Sequence, residues 1–199
     1  MRQVLTHPEI YQAYQRLGGF FGARLTAFRD YVDFSGVERV FDIGCGPGHI
    51  VQYIPKGIDY IGFDTATRYI DYANSRWRGR GQFVTRQFDR SAVETFGKPD
   101  LILMNGVLHH MDDATAADVV ETAAAALGHK GIYFALDGCY RDGQNPVSRY
   151  LLDHDRGEYV RTADGYRAIV EKAFPKTDVF VRDDLSWVPY TFAITKGCR

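Results

Sequence analysis

The chain has 199 residues, which is enough for one domain with a complete hydrophobic core but too few for two domains of ordinary size. Hydrophobic residues make up 45% and charged residues 25%, as in an ordinary soluble globular protein. The formal net charge of −1 provides no general attraction for nucleic acid or an anionic membrane, so we expect neither as a partner.

The cysteines indicate the compartment. Cys45, Cys139 and Cys198 are odd in number and widely spaced, which argues against a disulfide framework and against a zinc site. The sequence shows no long apolar segment and no signal peptide. We therefore expect a cytoplasmic protein. We also expect it to be a monomer or a homodimer.

Helical and strand periodicity alternate along the chain. This predicts an α/β fold in which helices cover both faces of a Rossmann-like, doubly wound, mostly parallel sheet of about seven strands. A helical region is expected at about 6–33, strands near 38–43, 58–63, 82–87, 100–105 and 131–137, and helices near 48–54, 66–77 and 113–127. A helix at 162–174 and two strands at 178–181 and 188–194 follow. We interpret the whole chain, 1–199, as one domain that consists of a helical cap (1–35), a core (36–137), an insert (138–161) and a C-terminal helix and strand pair (162–199).

A glycine-rich turn follows the first predicted strand. The strand ends in Asp42, and Gly44, Gly46 and Gly48 follow at alternate positions. A dinucleotide-binding turn would require glycine where His49 stands, and Asp42 would repel its pyrophosphate. We therefore expect a ligand with positive charge near the loop and no phosphate. S-adenosylmethionine meets this requirement with its sulfonium and ammonium groups; a tight turn that only packs a helix on the sheet is the alternative.

The second predicted strand also ends in a carboxylate. Asp64 follows Asp42 by 22 residues, which places it at the carboxyl edge of the neighbouring strand. There it can accept hydrogen bonds from both hydroxyls of a ribose. The order and spacing of the two carboxylates strengthen the adenosylmethionine hypothesis.

These residues resemble the class I S-adenosylmethionine-dependent methyltransferases, in particular those that act on small molecules. The resemblance continues at 87–89, at the predicted strand and loop 99–111, and at the turn and strand 128–135. It covers 36–137 with specific motifs and extends to the C-terminus only as a pattern of elements, which implies an antiparallel final strand pair. It also implies S-adenosylmethionine as methyl donor and S-adenosylhomocysteine as product.

The resemblance assigns roles to the loops at the carboxyl edge of the sheet. It implies that the glycine turn and the Asn105 region hold the donor, that Asp64 holds the ribose, and that Phe88 and Asp89 contact the adenine. The predicted cofactor-binding residues are Asp42, Gly44, Cys45, Gly46, Gly48, Asp64, Phe88, Asp89 and Asn105.

Three histidines are candidate catalytic bases. Methyl transfer to a hydroxyl requires aligned reactants and removal of a proton, and histidine titrates near neutral pH. His109 and His110 follow the fourth predicted strand, where the resemblance places the transferable methyl. His154 lies between two aspartates and is the rival base. Alternatively, the first two only pack or form hydrogen bonds in their loop, and His154 belongs to an exposed helix end.

The segment 138–161 is the predicted acceptor-binding insert, because it leaves the carboxyl end of the fifth strand and is rich in polar groups. Asn145 followed by Pro146 predicts a helix start within it. The predicted acceptor-binding residues are Tyr14, Asp137, Arg149, Arg156 and Tyr159. Asp137, Asp142, Asp153 and Asp155 offer ligands for magnesium, but no spacing is diagnostic and we expect no metal.

The leading functional hypothesis is methylation of a small molecule at a hydroxyl of a sugar or secondary metabolite. A catalytically silent adenosylmethionine-binding subunit is an alternative from another class. A third is an N-methyltransferase of protein or RNA that uses the basic run Arg76, Arg78 and Arg80 with Arg86 and Arg90; alternatively, this run is only a solvated face. The acceptor is not identified by the sequence.

Overall fold

A computed structural model describes residues 19–198 of the protein. The first 18 residues, which hold nearly half of the predicted helical region 6–33 and include Tyr14, lie outside the described part. The strands are β1 (Arg39–Ile43), β2 (Asp59–Asp64), β3 (Gln82–Thr85), β4 (Leu101–Asn105), β5 (Ile132–Tyr140), β6 (Arg161–Thr162), β7 (Lys176–Arg182) and β8 (Phe192–Cys198). The α-helices are α1 (Phe20–Tyr31), α2 (Thr67–Arg76), α3 (Arg90–Phe96), α4 (Asp113–Ala126), α5 (Pro146–Asp153) and α6 (Ala163–Val170). Short 3-10 helices span His49–Tyr53 and Leu108–His110.

Within the described residues the strands form one eight-stranded sheet in the order β3-β2-β1-β4-β5-β8-β7, with the two-residue β6 beside β5. The first five strands are parallel, and β8 runs antiparallel to β5 and β7. This confirms the predicted mostly parallel sheet with an antiparallel C-terminal pair. The chain order reverses between β1 and β4, and ligands bind outside the carboxyl ends of strands at such a switch point.

Two hydrophobic clusters cover the opposite faces of the sheet. Phe41 and Ile102 contribute to one cluster, and their neighbours Val40 and Leu101 contribute to the other. Alternate side chains of a strand point to opposite faces, and a central parallel strand is therefore apolar throughout. The apolar strands carry polar side chains near their carboxyl ends, among them Asp42 in β1, Asp64 in β2 and Asn105 in β4. These three strand ends are neighbours in the sheet.

Several predicted helix ends are confirmed by capping contacts. Asp112 caps α4 by accepting a hydrogen bond from the amide of Thr115 at 2.8 Å. Asn145 caps α5 by accepting from the amide of Val147 at 2.8 Å, with proline in the first turn. The helix predicted at 48–54 is a 3-10 helix instead. The short helix α3 was not predicted; its cap is Asp89.

The C-terminal elements differ from the prediction in their bounds. The helix ends at Val170 rather than 174, and the last strand occupies 192–198 rather than 188–194. Pro189 explains why the last strand starts later than predicted, because proline has no amide hydrogen to donate to a neighbouring strand inside a sheet. β5 extends to Tyr140 because Gly138 pairs with Phe192 and the next two residues pair with β6. No helix within residues 19–198 is long and apolar enough to cross a membrane.

Candidate active site

The turn after β1 depends on glycine. Gly44, Gly46 and Gly48 have φ angles of 70°, 54° and 73°, a left-handed conformation that other residues seldom adopt. A Cβ atom on Gly44 would lie 2.6 Å from Cγ2 of Val107, in the loop after β4. No described atom lies within 4 Å of a Cβ placed on Gly46. Gly44 therefore allows two loops to meet, while Gly46 presents bare backbone to the crevice between them.

Asp64 ties this turn to β2. One carboxylate oxygen accepts a hydrogen bond from the amide of Gly46 at 2.8 Å, and the other accepts from the amide of Ala66 at 2.8 Å. Each carboxylate oxygen can accept a further hydrogen bond. The structure thus shows that Asp64 organises the glycine turn, and its contact with the ribose stays a prediction.

Asp42 is a buried carboxyl group with one unpartnered oxygen. Its side chain is 1% exposed, and Oδ2 accepts a 2.6 Å hydrogen bond from the Tyr60 hydroxyl. Oδ1 has no hydrogen-bond partner among the described residues. Burial raises the pKa of Asp42 to about 7, although the Tyr60 hydrogen bond and the charge of Arg24 act in the opposite direction. A cationic ligand would stabilise the ionised form of this carboxyl group.

A small cavity opens beside Asp42. Its volume is about 30 Å³, enough for a small polar group such as an ammonium. Asp42 and Asn105 line it from the ends of β1 and β4, the glycine turn lines it from one side, and Arg24 of α1 is also part of the lining. Asn105 is 8% exposed, and neither polar atom of its side chain has a partner within the described residues. The lining includes five of the predicted cofactor-binding residues, namely Asp42, Gly44, Cys45, Gly46 and Asn105.

The remaining predicted cofactor residues lie elsewhere. Gly48 packs against the ring of Phe83. Phe88 belongs to the core, where its ring centroid lies 5.6 Å from that of Phe63. Asp89 caps α3 and forms a 2.7 Å ion pair with Arg86. The structure therefore shows structural contacts for these three residues, and adenine contacts by Phe88 and Asp89 stay a prediction.

His109 is the centre of a second polar cluster. Its ring is held between two carboxylates: Nδ1 lies 2.8 Å from Oδ1 of Asp137, and Nε2 lies 3.4 Å from Oδ1 of Asp155. The backbone amide of His109 also donates to Asp137, at 3.2 Å. Burial acts to lower the pKa of His109, but hydrogen bonds and charge from the two carboxylates raise it to about 9. The ring therefore carries a positive charge at neutral pH in this arrangement.

The other two candidate histidines have different surroundings. His110 is exposed at one edge, and its ring centroid lies 4.2 Å from that of His109. Desolvation by the packed loop and the charge of His109 lower the pKa of His110, which is therefore neutral. His154 lies at the exposed end of α5, where Nδ1 is 2.8 Å from the carbonyl oxygen of Tyr150. Sequence reasoning selected His154, but its neighbour Asp155 makes the contact with His109.

The insert is joined to the loop after β4. The amide of Tyr159 donates to the carbonyl oxygen of His109 at 3.0 Å, and Gly157 packs directly on the histidine ring. Arg161 adds hydrogen bonds to the carbonyl oxygens of Leu108 at 2.8 Å and Met111 at 2.7 Å. The role of Arg161 was missed, since a single arginine after the insert has no distinctive pattern. These contacts place the predicted acceptor-binding segment beside His109.

The predicted acceptor-binding residues are not gathered in one place. Asp137 is buried against His109. Arg149 forms an exposed ion pair with Asp153 at 3.1 Å and stacks on Tyr140 at 4.5 Å. Arg156 is half-buried, and the side chain of Tyr159 is exposed. No group of three or more potential metal ligands occurs within residues 19–198. Of the four aspartates considered as magnesium ligands, Asp137 and Asp155 lie near each other, and both contact His109.

Residues 41–133 match a family model described as a methyltransferase domain. Over these residues the chain resembles methyltransferase domains, as the sequence motifs predict. The match starts within β1 and ends in β5, so it contains the glycine turn, Asp64 and the loop of His109. No curated protein sequence matches the chain.

Solved structures of methyltransferases share the fold of this chain. Human N-acetylserotonin methyltransferase in complex with S-adenosylmethionine has a TM-score of 0.69 and 18% identity, over 97% of this chain and 55% of that one. The mitomycin 7-O-methyltransferase MmcR has a TM-score of 0.70 and 18% identity, over 99% and 60%. The plantazolicin methyltransferase BamL, with S-adenosylhomocysteine bound, has a TM-score of 0.69 and 13% identity, over 98% and 92%. The chain thus spans little more than half the length of the first two proteins.

S-adenosylmethionine, the cofactor that the sequence resemblance implies, fits the residues of the cavity. Its ammonium group requires a buried acceptor, and Oδ1 of Asp42 is one without a partner in the described chain. The buried amide of Asn105 offers a further donor and acceptor, and Gly46 permits close approach of the ligand to the backbone. The cavity therefore has polar groups of the kind that the amino-acid end of this cofactor needs.

Proposed function

We propose that the protein transfers the methyl group of S-adenosylmethionine to a hydroxyl of a small molecule, a sugar or secondary metabolite. The observation that carries this proposal is the buried pair of His109 and Asp137 directly beside the cofactor crevice. The loop of His109 touches the glycine turn through Val107. The fold shared with a mitomycin 7-O-methyltransferase supports the same choice of acceptor.

Different residues of the chain would bind the cofactor and position the catalytic base. Asp42 and the glycine turn would hold the cofactor, which when bound supplies an electrophilic methyl group on its sulfonium sulfur. Asp137 fixes the ring of His109 through Nδ1, so that Nε2 is directed toward Asp155 and the insert. This arrangement of a carboxylate behind an imidazole orients the ring and stabilises its charged form.

Proton removal requires a change at Nε2 of His109. With both carboxylates in place the ring holds its proton at neutral pH. The contact to Asp155, at 3.4 Å, is the longer of the two, and Asp155 belongs to the insert. An acceptor hydroxyl that replaces Asp155 at Nε2 removes one of the two groups that raise the pKa of His109. The ring then titrates at lower pH and can take the proton of the hydroxyl.

Turnover of hydroxylated acceptors tests the function. The chain is incubated with S-adenosylmethionine and a panel of phenols, sugars and aliphatic alcohols, and release of S-adenosylhomocysteine and the mass and methylation site of the product are measured. We expect an O-methylated product, with turnover reduced about 10²-fold or more in the His109→Gln variant. The matched control is His129→Gln, an exposed histidine in the turn before β5.

The same experiment separates the alternatives. Cofactor binding without turnover of any acceptor would favour a silent subunit, and an amine-methylated product would favour N-methylation. Full activity in both the His109→Gln and His110→Gln variants would exclude a base role for this loop.

We further infer that the protein works in the cytoplasm on a freely diffusing acceptor, as a monomer or homodimer, without nucleic acid or membrane. The support is its near-neutral charge and three free thiols, Cys45, Cys139 and Cys198. Salt-dependent binding of RNA would contradict this inference.

A further inference from the structure

Arg161 joins two segments of the candidate site. It opens the two-residue strand β6 at the end of the insert, where it pairs with Cys139 of β5. Its amide also donates to the hydroxyl of Tyr166 at 3.4 Å, and that hydroxyl donates to the carbonyl oxygen of Gly138 at 2.8 Å. The backbone of Arg161 is therefore attached to the end of β5, and its side chain extends from a fixed point.

All five N–H donors of the Arg161 guanidinium have acceptors. Nη1 donates to the carbonyl oxygens of Leu108 at 2.8 Å and Tyr159 at 2.9 Å. Nη2 donates to the carbonyl oxygen of Met111 at 2.7 Å and to Oδ1 of Asp113 at 2.7 Å. Nε donates to the same carboxylate oxygen at 2.8 Å. The side chain is 9% exposed, so little water competes for these contacts.

The carbonyl groups that accept from Arg161 lie on both sides of the candidate base. Leu108 directly precedes His109, and Met111 follows it by two residues, so the guanidinium holds the 3-10 helix of this loop at both ends. The carbonyl group of Tyr159 belongs to the insert, and the same nitrogen, Nη1, contacts it and Leu108. The donors of a planar guanidinium have a fixed separation, which the donors of a flexible lysine lack. Arg161 therefore ties the insert to the loop after β4 at a defined spacing.

This spacing determines the surroundings of His109. Asp137 of β5 holds Nδ1 at 2.8 Å, and Asp155 of the insert lies 3.4 Å from Nε2. His110 packs on the ring from the loop itself, and the charge of Arg156 in the insert acts on His110. The sheet fixes the position of Asp137, whereas the position of Asp155 depends on how the insert is attached to the loop.

We propose that Arg161 is a positioning residue that holds the ring of His109 and the insert in the geometry required to deprotonate the acceptor. This rests on the proposed function, in which His109 takes the proton of a hydroxyl. Arg161 acts through the backbone of the loop and of the insert, and not on the reacting atoms. Its replacement lowers turnover because base and acceptor no longer align, while the cofactor half of the site keeps its own contacts.

Arg161→Lys tests the role, because lysine keeps the charge and lacks the planar set of donors. For the hydroxylated acceptor that the panel identifies, kcat should fall about tenfold or more. The dissociation constant of S-adenosylhomocysteine should change less than about twofold. The pKa of His109, followed by NMR titration of its ring nitrogens, should fall from about 9 toward 6.5, because one of the two carboxylates that outweigh its burial moves away. An unchanged kcat or an unchanged pKa overturns the proposal.

Arg167→Lys is the matched control. Nη1 of Arg167 donates to the carbonyl oxygen of Thr177 at 2.9 Å, near the start of β5 rather than its end. The exchange removes the same kind of contact, and whatever stability it costs, kcat and the pKa of His109 should stay as in the unchanged protein. An equal fall in this control would mean a general loss of stability and would overturn the proposal.

Arg161→Gln is the second variant if the lysine variant fails to fold, because its amide can still donate to one of the carbonyl groups. Loss of a nearby positive charge alone would raise the pKa of His109. A fall of that pKa in Arg161→Gln therefore reports a change in geometry and supports the proposal, and a rise overturns it.

The outcomes separate this proposal from the proposed function. Absence of turnover in the unchanged protein overturns the proposed function and, with it, the catalytic meaning of the contact. Equal turnover in the unchanged protein and in Arg161→Lys overturns the role of Arg161 alone. A lower kcat at unchanged cofactor affinity, together with a lower pKa of His109, supports that role.

Discussion

The hydroxyl of Tyr60 donates a 2.6 Å hydrogen bond to Oδ2 of Asp42, between neighbouring strands of the sheet. Both side chains are buried, and this is the one hydrogen bond that residues 19–198 make to the carboxyl group. A buried carboxyl that is half satisfied destabilises the folded chain when it ionises. A sequence tolerates such a local cost where a ligand supplies the missing partner.

Asp42→Asn should stabilise the protein at neutral and alkaline pH while weakening cofactor binding. The folded-state pKa is about 7, above the usual 3.8, so the folded protein binds more protons than the unfolded chain between these values. Stability attributable to this group is therefore lost as the pH rises from about 4 to about 7. Asparagine avoids this loss and still accepts the Tyr60 hydrogen bond. Urea denaturation at about pH 8 should show a gain of about 1–3 kcal/mol.

The gain from Asp42→Asn should disappear at about pH 4, where the carboxyl is protonated in the folded protein. Asp71→Asn, at an exposed position of α2, is the matched control and should leave stability unchanged at both pH values. A variant that is less stable than the unchanged protein at about pH 8 would contradict the argument.

Asp64→Ala should weaken S-adenosylhomocysteine binding by about 1–3 kcal/mol, the usual cost of leaving polar partners unsatisfied. The structure adds a second effect, because Asp64 also accepts hydrogen bonds from the amides of Gly46 and Ala66. Hydrogen exchange of those two amides should therefore accelerate. Calorimetry and exchange mass spectrometry measure the two effects, and an unchanged dissociation constant would contradict a ribose contact.

The contribution of His109 to stability should depend on pH. Its pKa is raised from 6.5 to about 9, so the stability that its charged form contributes is fully present below about 6.5 and is lost as the pH rises through 9. The difference in the free energy of unfolding between the unchanged protein and His109→Gln should shrink over this interval. Denaturation of both proteins across the interval measures it, and His129→Gln should show no such trend. A constant difference would mean that the ring is uncharged.

Gly157→Ala should reduce acceptor turnover without changing cofactor affinity. A Cβ atom at this position would overlap the ring of His109 and lie 2.6 Å from its carbonyl oxygen. The insert must then move away from the loop after β4, which separates Asp155 and the acceptor site from the histidine. Steady-state kinetics should show at least about a tenfold fall in kcat/KM. Gly128→Ala, where a Cβ meets no described atom within 4 Å, is the control; equal kinetics in both variants would contradict the contact.

The cofactor half of the site was largely predictable from sequence. The periodicity of apolar residues predicts the parallel strands, and Asp42, the glycine turn and Asp64 stand at strand ends that meet at one edge. These features are local in sequence, because a turn needs glycine at the positions where φ is positive and a capping residue stands next to its helix. For the same reason the start of α5 was predicted from Asn145.

The acceptor half was decided by tertiary structure. His109 meets Asp137, 28 residues away, and Asp155 of the insert, while His154 between the insert's two aspartates lies on the surface. Arg24 likewise enters the crevice from a helix that no motif marks. Such contacts join loops that are distant in sequence, and their geometry follows from how helices and insert pack on the sheet. Periodicity determines which face of an element is buried, but only packing determines which of its polar residues reaches a given site.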